Sequence, residues 1–232
     1  MIKADIEVKY IDHMGSDLSI VNAARVSFDK VSEWSDEFVL GGVDEHGEFY
    51  NRKLKDADSK LIKYLAKHKH KSPFNHTFAT VKVKAPVFVS RQLVKHKFMP
   101  WNEESRRYIN TEPEFYFPDV YRKAAENVKQ GSSNEPIKFI DLVAAEQSVN
   151  NSLEVYRLML QNEVCNEQAR MFLPQNMMVN WYWSGTLGAF ADMLVLRLDT
   201  HTQAETRIVA EKIRDILMEH FPVSLTALLE RH

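Results

Sequence analysis

Apolar residues recur within short segments at four places in the chain, and each segment predicts a β-strand. The segment Phe78–Lys84 is the clearest, because Ala79, Val81 and Val83 alternate with other residues as they do when one face of a strand is buried. Alternation of the same kind occurs near the N-terminus. The four predicted strands are Ile2–Tyr10, Phe78–Lys84, Glu114–Pro118 and Asn176–Trp183.

Helical spacing of apolar residues, together with helix start and stop residues, predicts seven α-helices. They are Ile20–Phe28, Asp56–His68, Val87–Lys97, Ile137–Gln168, Leu187–Leu198, Gln203–Phe221 and Ser224–Glu230. Turn residues within Asp29–Asn51 favour a small hairpin there. The polar segment Arg122–Pro136 is predicted to be an exposed, mobile loop.

Composition indicates a globular protein. The chain has 232 residues, of which 44% are hydrophobic and 27% charged, and this fits one large domain or two tightly joined small ones. The formal net charge of −2 predicts no general attraction to nucleic acid or to a membrane surface. The single cysteine, Cys165, excludes an internal disulfide and a cysteine-rich zinc site, and it fits a reducing compartment. The first residues lack the apolar run of a signal peptide.

One segment, Met171–Leu196, is long enough to span a bilayer and contains a single charge, Asp192. Because polar and helix-breaking residues such as Pro174 interrupt it, a buried strand followed by a buried helix is the better prediction. A buried charge is costly unless it is paired. Asp192 and Arg197 therefore predict either an internal salt bridge or two charged groups that point into a ligand pocket.

A dense group of charged side chains lies between Arg91 and Tyr108. It holds six cationic side chains if His96 is counted, together with Glu103 and Glu104. Cations and donors of this kind bind phosphate, and a carboxylate can bind ribose hydroxyls or orient a base. The alternatives are a solvated helix end, a structural ion-pair network and a surface that binds nucleic acid.

Prolines set the expected geometry of this group. Pro86 suits the first position of a helix and Pro100 ends it, so Arg91 and Lys95 would share one helical face. Histidines occur upstream, between His68 and His76, but four nearby lysines would repel a divalent cation. A metal site is therefore not predicted.

The order of residues in the charged group resembles the signature of the flavin-dependent thymidylate synthases. That signature reads Arg-His-Arg, two variable residues, Ser, one variable residue, Asn-Glu, one variable residue, Ser, one variable residue and Arg. Five fixed positions agree without a gap: His96, Asn102, Glu103, Ser105 and Arg107.

Other parts of the chain resemble the same family, so that the similarity extends from about His70 to Glu205. The matching segments are His70–His76, Lys84–Gln92, Arg170–Pro174 and Leu196–Glu205. The resemblance implies a single domain, residues 1–232, with an α+β fold: a small mixed or antiparallel sheet packed with helices, plus a long-helix region. It also implies a homotetramer whose sites are shared between subunits, and the expected location is cytoplasmic.

The family reaction makes dTMP from dUMP. Methylenetetrahydrofolate gives the one-carbon unit, and NADPH reduces FAD, which supplies the hydride. The resemblance therefore implies a pyrimidine deoxynucleotide as the substrate, FAD as the cofactor, and neither nucleic acid nor a membrane as a partner.

Carried over residue by residue, the resemblance assigns catalytic roles to Glu103, Ser105 and Arg197, with Arg197 against the uracil edge. The residues assigned to the nucleotide are Gln92, Leu93, Val94, Lys95, Glu103, Glu104, Ser105, Arg106, Arg107, Arg170 and Arg197. Those assigned to the flavin are His70, Ser72, Lys95, His96, Lys97, Glu103, Thr186, Gly188, Asp192 and His201. Cys165 is expected to be a packing residue or a bystander, because a flavin leaves no need for a thiolate nucleophile.

Several positions depart from the family pattern. Two lysines stand where the family has arginines, so planar forks are replaced by point charges. A proline replaces a serine, and threonine and glycine stand where the family has Asn and Arg. An aspartate replaces an asparagine, so an amide donor is lost. These positions are Lys95, Lys97, Pro100, Thr186, Gly188 and Asp192. Two alternatives therefore stay open. One is a related methylation or hydroxymethylation of another pyrimidine nucleotide, such as dCMP. The other is a nucleic-acid-binding or non-catalytic scaffold protein.

Overall fold

The computed structural model of the protein describes residues 1–38, 50–126, 132–137 and 142–230. Its ten strands are β1 (Ile2–Lys3), β2 (Glu7–Met14), β3 (Ser35–Phe38), β4 (Tyr50–Lys53), β5 (Phe78–Pro86), β6 (Trp101–Glu103), β7 (Glu114–Phe115), β8 (Arg122–Ala124), β9 (Ser132–Pro136) and β10 (Met178–Thr186). The α-helices of the same residues are α1 (Asp17–Arg25), α2 (Asp56–Lys67), α3 (Val87–Leu93), α4 (Leu142–Gln161), α5 (Asn166–Ala169), α6 (Leu187–Arg197), α7 (Ala204–His220) and α8 (Pro222–Leu229). Short 3₁₀ helices cover Val26–Phe28, Ser72–His76 and Arg170–Phe172.

Four strands form a sheet in the order β2-β5-β10-β6, and the other strands form two-stranded sheets. Strands β6 and β10 are antiparallel, as are β3 with β4 and β8 with β9, whereas β1 and β7 are parallel. The predicted α+β class, with small sheets and helices, is confirmed.

The chain divides into two compact units. Unit 1 consists of Met1–Tyr10, Val81–Trp183 and Leu196–Ile213. Unit 2 consists of Ile11–Thr80, Ser184–Val195 and Arg214–His232. The prediction of a single domain over 1–232 stays a prediction.

The core of unit 1 is built by alternation along two neighbouring strands. Val81, Val83 and Ala85 of β5 are fully buried, and Trp181 and Trp183 of β10 are 1% exposed. Successive side chains of a strand point to opposite faces, so every second residue enters the core. The pattern read from Phe78–Lys84 is therefore confirmed.

The core of unit 2 centres on α6, whose Leu187, Phe190 and Leu194 are at most 1% exposed. A buried carboxylate, Asp58 of α2, accepts hydrogen bonds from Arg25 and from the Ser32 hydroxyl. The apolar segment Met171–Leu196 contains β10 followed by all but the last residue of α6, as predicted. No helix within the described ranges has the length and apolar character needed to cross a membrane.

The charged group differs from its predicted helical form. Helix α3 ends at Leu93 rather than Lys97, and Phe98 adopts a positive φ of 62°. Phe98 is left-handed and Pro100 restricts Met99, so the chain cannot continue as a regular helix into β6. Lys95 therefore does not share a helical face with Arg91, and the prediction that it does is wrong.

Other predicted elements also have different limits. The strand expected over Ile2–Tyr10 is divided into β1 and β2, and the helix expected over Ile20–Phe28 begins at Asp17 and ends at Arg25. The helix expected over Ile137–Gln168 is broken after α4, because Glu163 has a φ of 62°, and Cys165 lies exposed at the start of α5 rather than in the middle of a long helix. The segment expected to be a mobile loop contains the paired strands β8 and β9. The expected hairpin is present as β3 and β4, and residues 39–49 between them lie outside the described residues.

Candidate functional site

Strand β6 carries the middle of the family signature, including Asn102 and Glu103, and lies against β10 in unit 1. Glu103 pairs with Trp181, and Trp101 pairs with Trp183. The Trp101 ring stacks on Trp181 with centroids 4.4 Å apart, and its indole N–H donates to Glu103 at 3.3 Å. The Trp101 indole, which stacks on the buried Trp181, thus holds the Glu103 carboxylate in place.

A cavity of about 630 Å³ opens beside this strand. Five residues predicted to bind the nucleotide line it: Val94, Glu103, Glu104, Arg106 and Arg170. Its wall also contains a third arginine and a third glutamate, together with apolar and amide side chains. These additional lining residues are Val87, Ser90, Arg91, Glu167, Met171, Leu173, Pro174, Gln175, Met177 and Val179. Three guanidinium groups and three carboxylates suit a ligand with an anionic end and hydroxyl groups.

Arg106 is the most deeply placed cation of this cavity. It is 7% exposed, and it donates to the main-chain oxygen of Thr111. Its Nε has no hydrogen-bond partner among the residues that the structure describes. A buried donor without a partner is costly, so this guanidinium suits an additional acceptor.

The Glu103 carboxyl has a perturbed acidity. Partial burial raises its pKa, and the nearby Glu104 charge acts in the same direction, whereas the Trp101 hydrogen bond and the Arg91 charge lower it. The net effect is upward, so the carboxyl retains a proton to a higher pH than an exposed glutamate.

The end of α6 meets the end of α3 in unit 1. Arg197 donates from Nε to Nε2 of His96 at 3.0 Å and from Nη2 to the main-chain oxygen of Gln92 at 3.3 Å. These two segments lie about a hundred residues apart in sequence. Three residues that the resemblance assigns to nucleotide or flavin are therefore in direct contact.

His96 is not one of the cations of this group at neutral pH. Burial, and secondly the charge of Arg197, lower its pKa from 6.5 to about 4. Because Nε2 accepts the hydrogen bond from Arg197, the proton of the neutral ring belongs on Nδ1. Burial also lowers the pKa of Arg197.

The side-chain amide of Gln92 is held by the residue before α7 and by the first turn of that helix. Its Nε2 donates to Oε1 of Gln203, and its Oε1 accepts from the Thr206 hydroxyl at 3.2 Å. Thr206 is fully buried. Gln203 lies in a matched segment of the resemblance, whereas nothing in the sequence singled out Thr206.

A second group of predicted residues comes together in unit 2, where the 3₁₀ helix Ser72–His76 contacts the first turns of α6. Lys71 pairs with Asp192 at 2.7 Å. The Thr186 hydroxyl donates to Oδ1 of Asn75 at 2.9 Å. Asp192 therefore pairs with a lysine from another segment of unit 2.

Gly188 explains one departure from the family pattern. A Cβ built at this position would lie 2.6 Å from Oδ1 of Asn75. The Asn75 amide thus occupies the space that a larger residue at 188 would enter. Asn75 lies in the matching segment His70–His76, but the resemblance assigns it no role at the site.

Other predicted residues are placed outside these contacts. Arg107 is exposed and donates to the Ser105 hydroxyl at 3.2 Å, and His201 is exposed and bonds Asp199 at 2.9 Å. The predicted residues Lys95 and Lys97 are exposed, as are His70 and Ser72, whereas the Leu93 side chain is fully buried. In the described part of the chain, no three His, Cys, Asp or Glu residues form a group that could hold a metal ion.

Comparison with known proteins points to the family that the sequence resembles. Residues 9–223 match the family model described as "Thymidylate synthase complementing protein". The flavin-dependent thymidylate synthase of Thermosipho africanus is 35% identical over 226 residues, covering 96% of this chain and 90% of the relative. That of Thermus thermophilus is 35% identical over 223 residues, covering 96% of this chain and 75% of the relative.

Among solved structures, the UMP/dUMP methylase PolB from Streptomyces cacaoi, bound with 5-Br dUMP, has a similar fold. Its TM-score is 0.78 at 29% identity, covering 97% of this chain and 95% of that one. The match of the family model over most of the chain, and the identity to curated relatives over nearly its whole length, agree with the residues found in contact. The chain belongs to the flavin-dependent thymidylate synthase family.

Proposed function

We propose that this protein is an FAD-dependent thymidylate synthase that converts dUMP to dTMP, with methylenetetrahydrofolate as carbon donor and NADPH as the source of reducing equivalents. The observation that carries the proposal is the contact of Arg197 with His96 and with the main chain of Gln92. Two distant family elements meet there, as a shared nucleotide and flavin site requires.

The nucleotide is proposed to occupy the cavity beside β6. Arg106 and Arg170 line it and suit the phosphate, because guanidinium forks bind phosphate oxygens in pairs. Glu103, whose pKa is raised, suits a hydroxyl or ring N–H of the nucleotide and is able to hold a proton. Arg197 is proposed to lie against the uracil edge and to stabilise the negative charge that develops when the ring is activated at C5.

The residues of unit 2 fit an FAD site by their chemistry. Lys71 supplies a cation, Ser72 and Thr186 supply hydroxyls, and the Asn75 amide supplies a donor, all within the segment and helix turns described above. When bound, FAD supplies the hydride chemistry that no amino-acid side chain provides. The protein's own residues then bind and orient the substrate and polarise its ring.

Two further features belong to the same proposal. We infer a homotetramer, in which exposed signature residues such as Arg107 and Lys97 serve sites shared between subunits. A cytoplasmic location is supported by the single exposed cysteine, which suits a reducing compartment.

The test is release of tritium from C5-labelled dUMP by the purified protein, supplied with FAD, NADPH and methylenetetrahydrofolate. We expect a protein with flavin absorption that releases tritium from dUMP and forms dTMP. Arg197→Ala should remain folded by circular dichroism and lose the release. Tritium release from labelled dCMP alone, or a colourless protein that cannot be reconstituted with FAD, would refute the proposal.

A further inference from the structure

The Gln92 amide has an orientation fixed by residues outside the predicted site. An amide side chain offers an acceptor at one end and two donors at the other, and the hydrogen-bond partners decide which end points where. Thr206 donates to the oxygen at 3.2 Å, and Gln203 accepts from the nitrogen. The oxygen is thereby engaged, and one N–H of Gln92 stays available.

The opposite orientation is disfavoured because Thr206 is fully buried. If the Gln92 amide were turned over, its nitrogen would face the hydroxyl, which would then have to accept. The Thr206 O–H would be left without an acceptor, since Gln92 is its hydrogen-bond partner among the residues that the structure describes. Because a buried donor without a partner is unfavourable, the turned-over orientation should be less populated by a factor of about ten or more.

The orientation bears on the base because Gln92 lies beside Arg197, whose Nη2 donates to its main-chain oxygen. Both residues present donors, the guanidinium through its N–H groups and Gln92 through its free amide N–H. Donors complement the two carbonyl oxygens of uracil. Cytosine has an amino group in place of one of them, and that group would meet a donor with a donor.

We infer that Thr206 is a specificity-determining residue: by holding the Gln92 amide with its nitrogen free, it makes the site prefer a uracil nucleotide over a cytosine nucleotide. The inference rests on the proposed function, since it assumes that the pyrimidine lies at Gln92 and Arg197. Thr206 acts through Gln92 and does not itself contact the base. A site built to hydrogen-bond one ring edge rejects the analogue that lacks the matching group, because a buried polar group is then left unpaired.

The experiment measures the dissociation constants of dUMP and dCMP for the FAD-loaded protein by isothermal titration calorimetry. Wild type should bind dUMP more tightly. Thr206→Val keeps the shape but removes the hydroxyl, and the ratio of the two dissociation constants should shrink about tenfold. Thr206→Ser restores the hydroxyl and should restore the ratio. If Thr206→Val weakens both nucleotides equally, or changes neither, the inference is overturned.

A second variant keeps the inference testable if Thr206→Val does not fold. Gln203→Glu replaces the amide by a carboxylate, which only accepts, so the Gln92 nitrogen must still face it. The preference for dUMP should be retained or increased, and a loss of preference would overturn the inference. Failure of the proposed function is distinguishable, because wild type would then release no tritium from labelled dUMP whatever the variants do.

Discussion

Arg197 and His96 are joined by a hydrogen bond of 3.0 Å in which the guanidinium donates to the imidazole. The pair links the last residue of α6 to the turn that follows α3. A cation that donates to an imidazole nitrogen excludes a proton from that nitrogen. His96 therefore serves as a neutral acceptor at physiological pH, although its basic neighbours in the sequence suggested a cation.

We expect the His96 ring to titrate with a pKa of about 4. In Arg197→Gln the pKa should rise because the nearby charge is removed, yet it should stay below 6.5, since burial is the larger cause of the shift. Nuclear magnetic resonance of the imidazole protons, assigned with a His96→Gln variant, measures both values. A wild-type pKa near 6.5 would contradict the assignment.

The same shift predicts a dependence of stability on pH. The folded pKa lies below the unfolded value of 6.5, so between about pH 4 and 6.5 the unfolded chain binds more protons at this residue. The contribution of neutral His96 to the free energy of unfolding is therefore fully present above pH 6.5 and is lost as the pH falls through about 4. His96→Gln does not titrate, and its free energy of unfolding in urea should fall less steeply across this window. His76→Gln, at an exposed position, is the matched control.

Gly188 and Asn75 should show coupled effects on stability. Alanine at a helical glycine ordinarily stabilises by about 1 kcal/mol, but here its Cβ would lie 2.6 Å from Oδ1 of Asn75. We expect Gly188→Ala to destabilise the wild type by about 1 kcal/mol and to stabilise the Asn75→Ala background. Urea unfolding of the four proteins gives the coupling energy. Equal effects in both backgrounds would show that Asn75 does not restrict residue 188.

Asp58 should be a strong determinant of the stability of unit 2. It is fully buried and accepts from Arg25 at 3.2 Å and from the Ser32 hydroxyl. Its removal leaves the partners unpaired, so Asp58→Ala should cost about 3 kcal/mol in the free energy of unfolding. Asp56→Ala removes an exposed carboxylate two residues away and should change stability by less than about 0.5 kcal/mol. Similar losses in the two variants would argue against the buried network.

The Lys71–Asp192 pair should influence the retention of FAD. Both side chains are about half exposed, so the pair contributes at most about 1 kcal/mol to folding. Asp192→Asn removes a negative charge and leaves Lys71 cationic, which favours an anionic ligand. We expect this variant to lose FAD more slowly on dilution, and Lys71→Met to lose it faster, as followed by flavin fluorescence. Unchanged release in both variants would place the flavin away from this pair.

Secondary structure is predicted well from the sequence where the local pattern of apolar residues agrees with the packing of the core. Alternation along Phe78–Lys84 predicted β5, and the apolar run from Leu187 predicted α6 nearly to the residue, because each buries its apolar face in a core. The start of the signature differs from the prediction, because the helix expected to reach Lys97 ends at Leu93. The middle of the signature forms β6, a three-residue strand that depends on pairing with β10 and that no local periodicity indicates.

Some residues of the candidate site were predicted from the sequence and others were not. The motifs identified five of the residues that line the cavity and the two residues that Arg197 contacts, since chemistry restricts residue type at such positions. Thr206 and Asn75 carry no such signal, because each acts through a neighbour that is distant in sequence. Their roles depend on tertiary contacts, and these are visible only once the chain is folded.

The stacked pair Trp101 and Trp181, with Trp183 edge-on to Trp101 at 5.6 Å, brings three of the chain's four tryptophans together. Indoles at such separations couple their electronic transitions. Near-ultraviolet circular dichroism should therefore register a small displacement of β6 as a change in signal shape, with no dye or label attached. The strand that holds Glu103 carries an intrinsic optical reporter of its own motion.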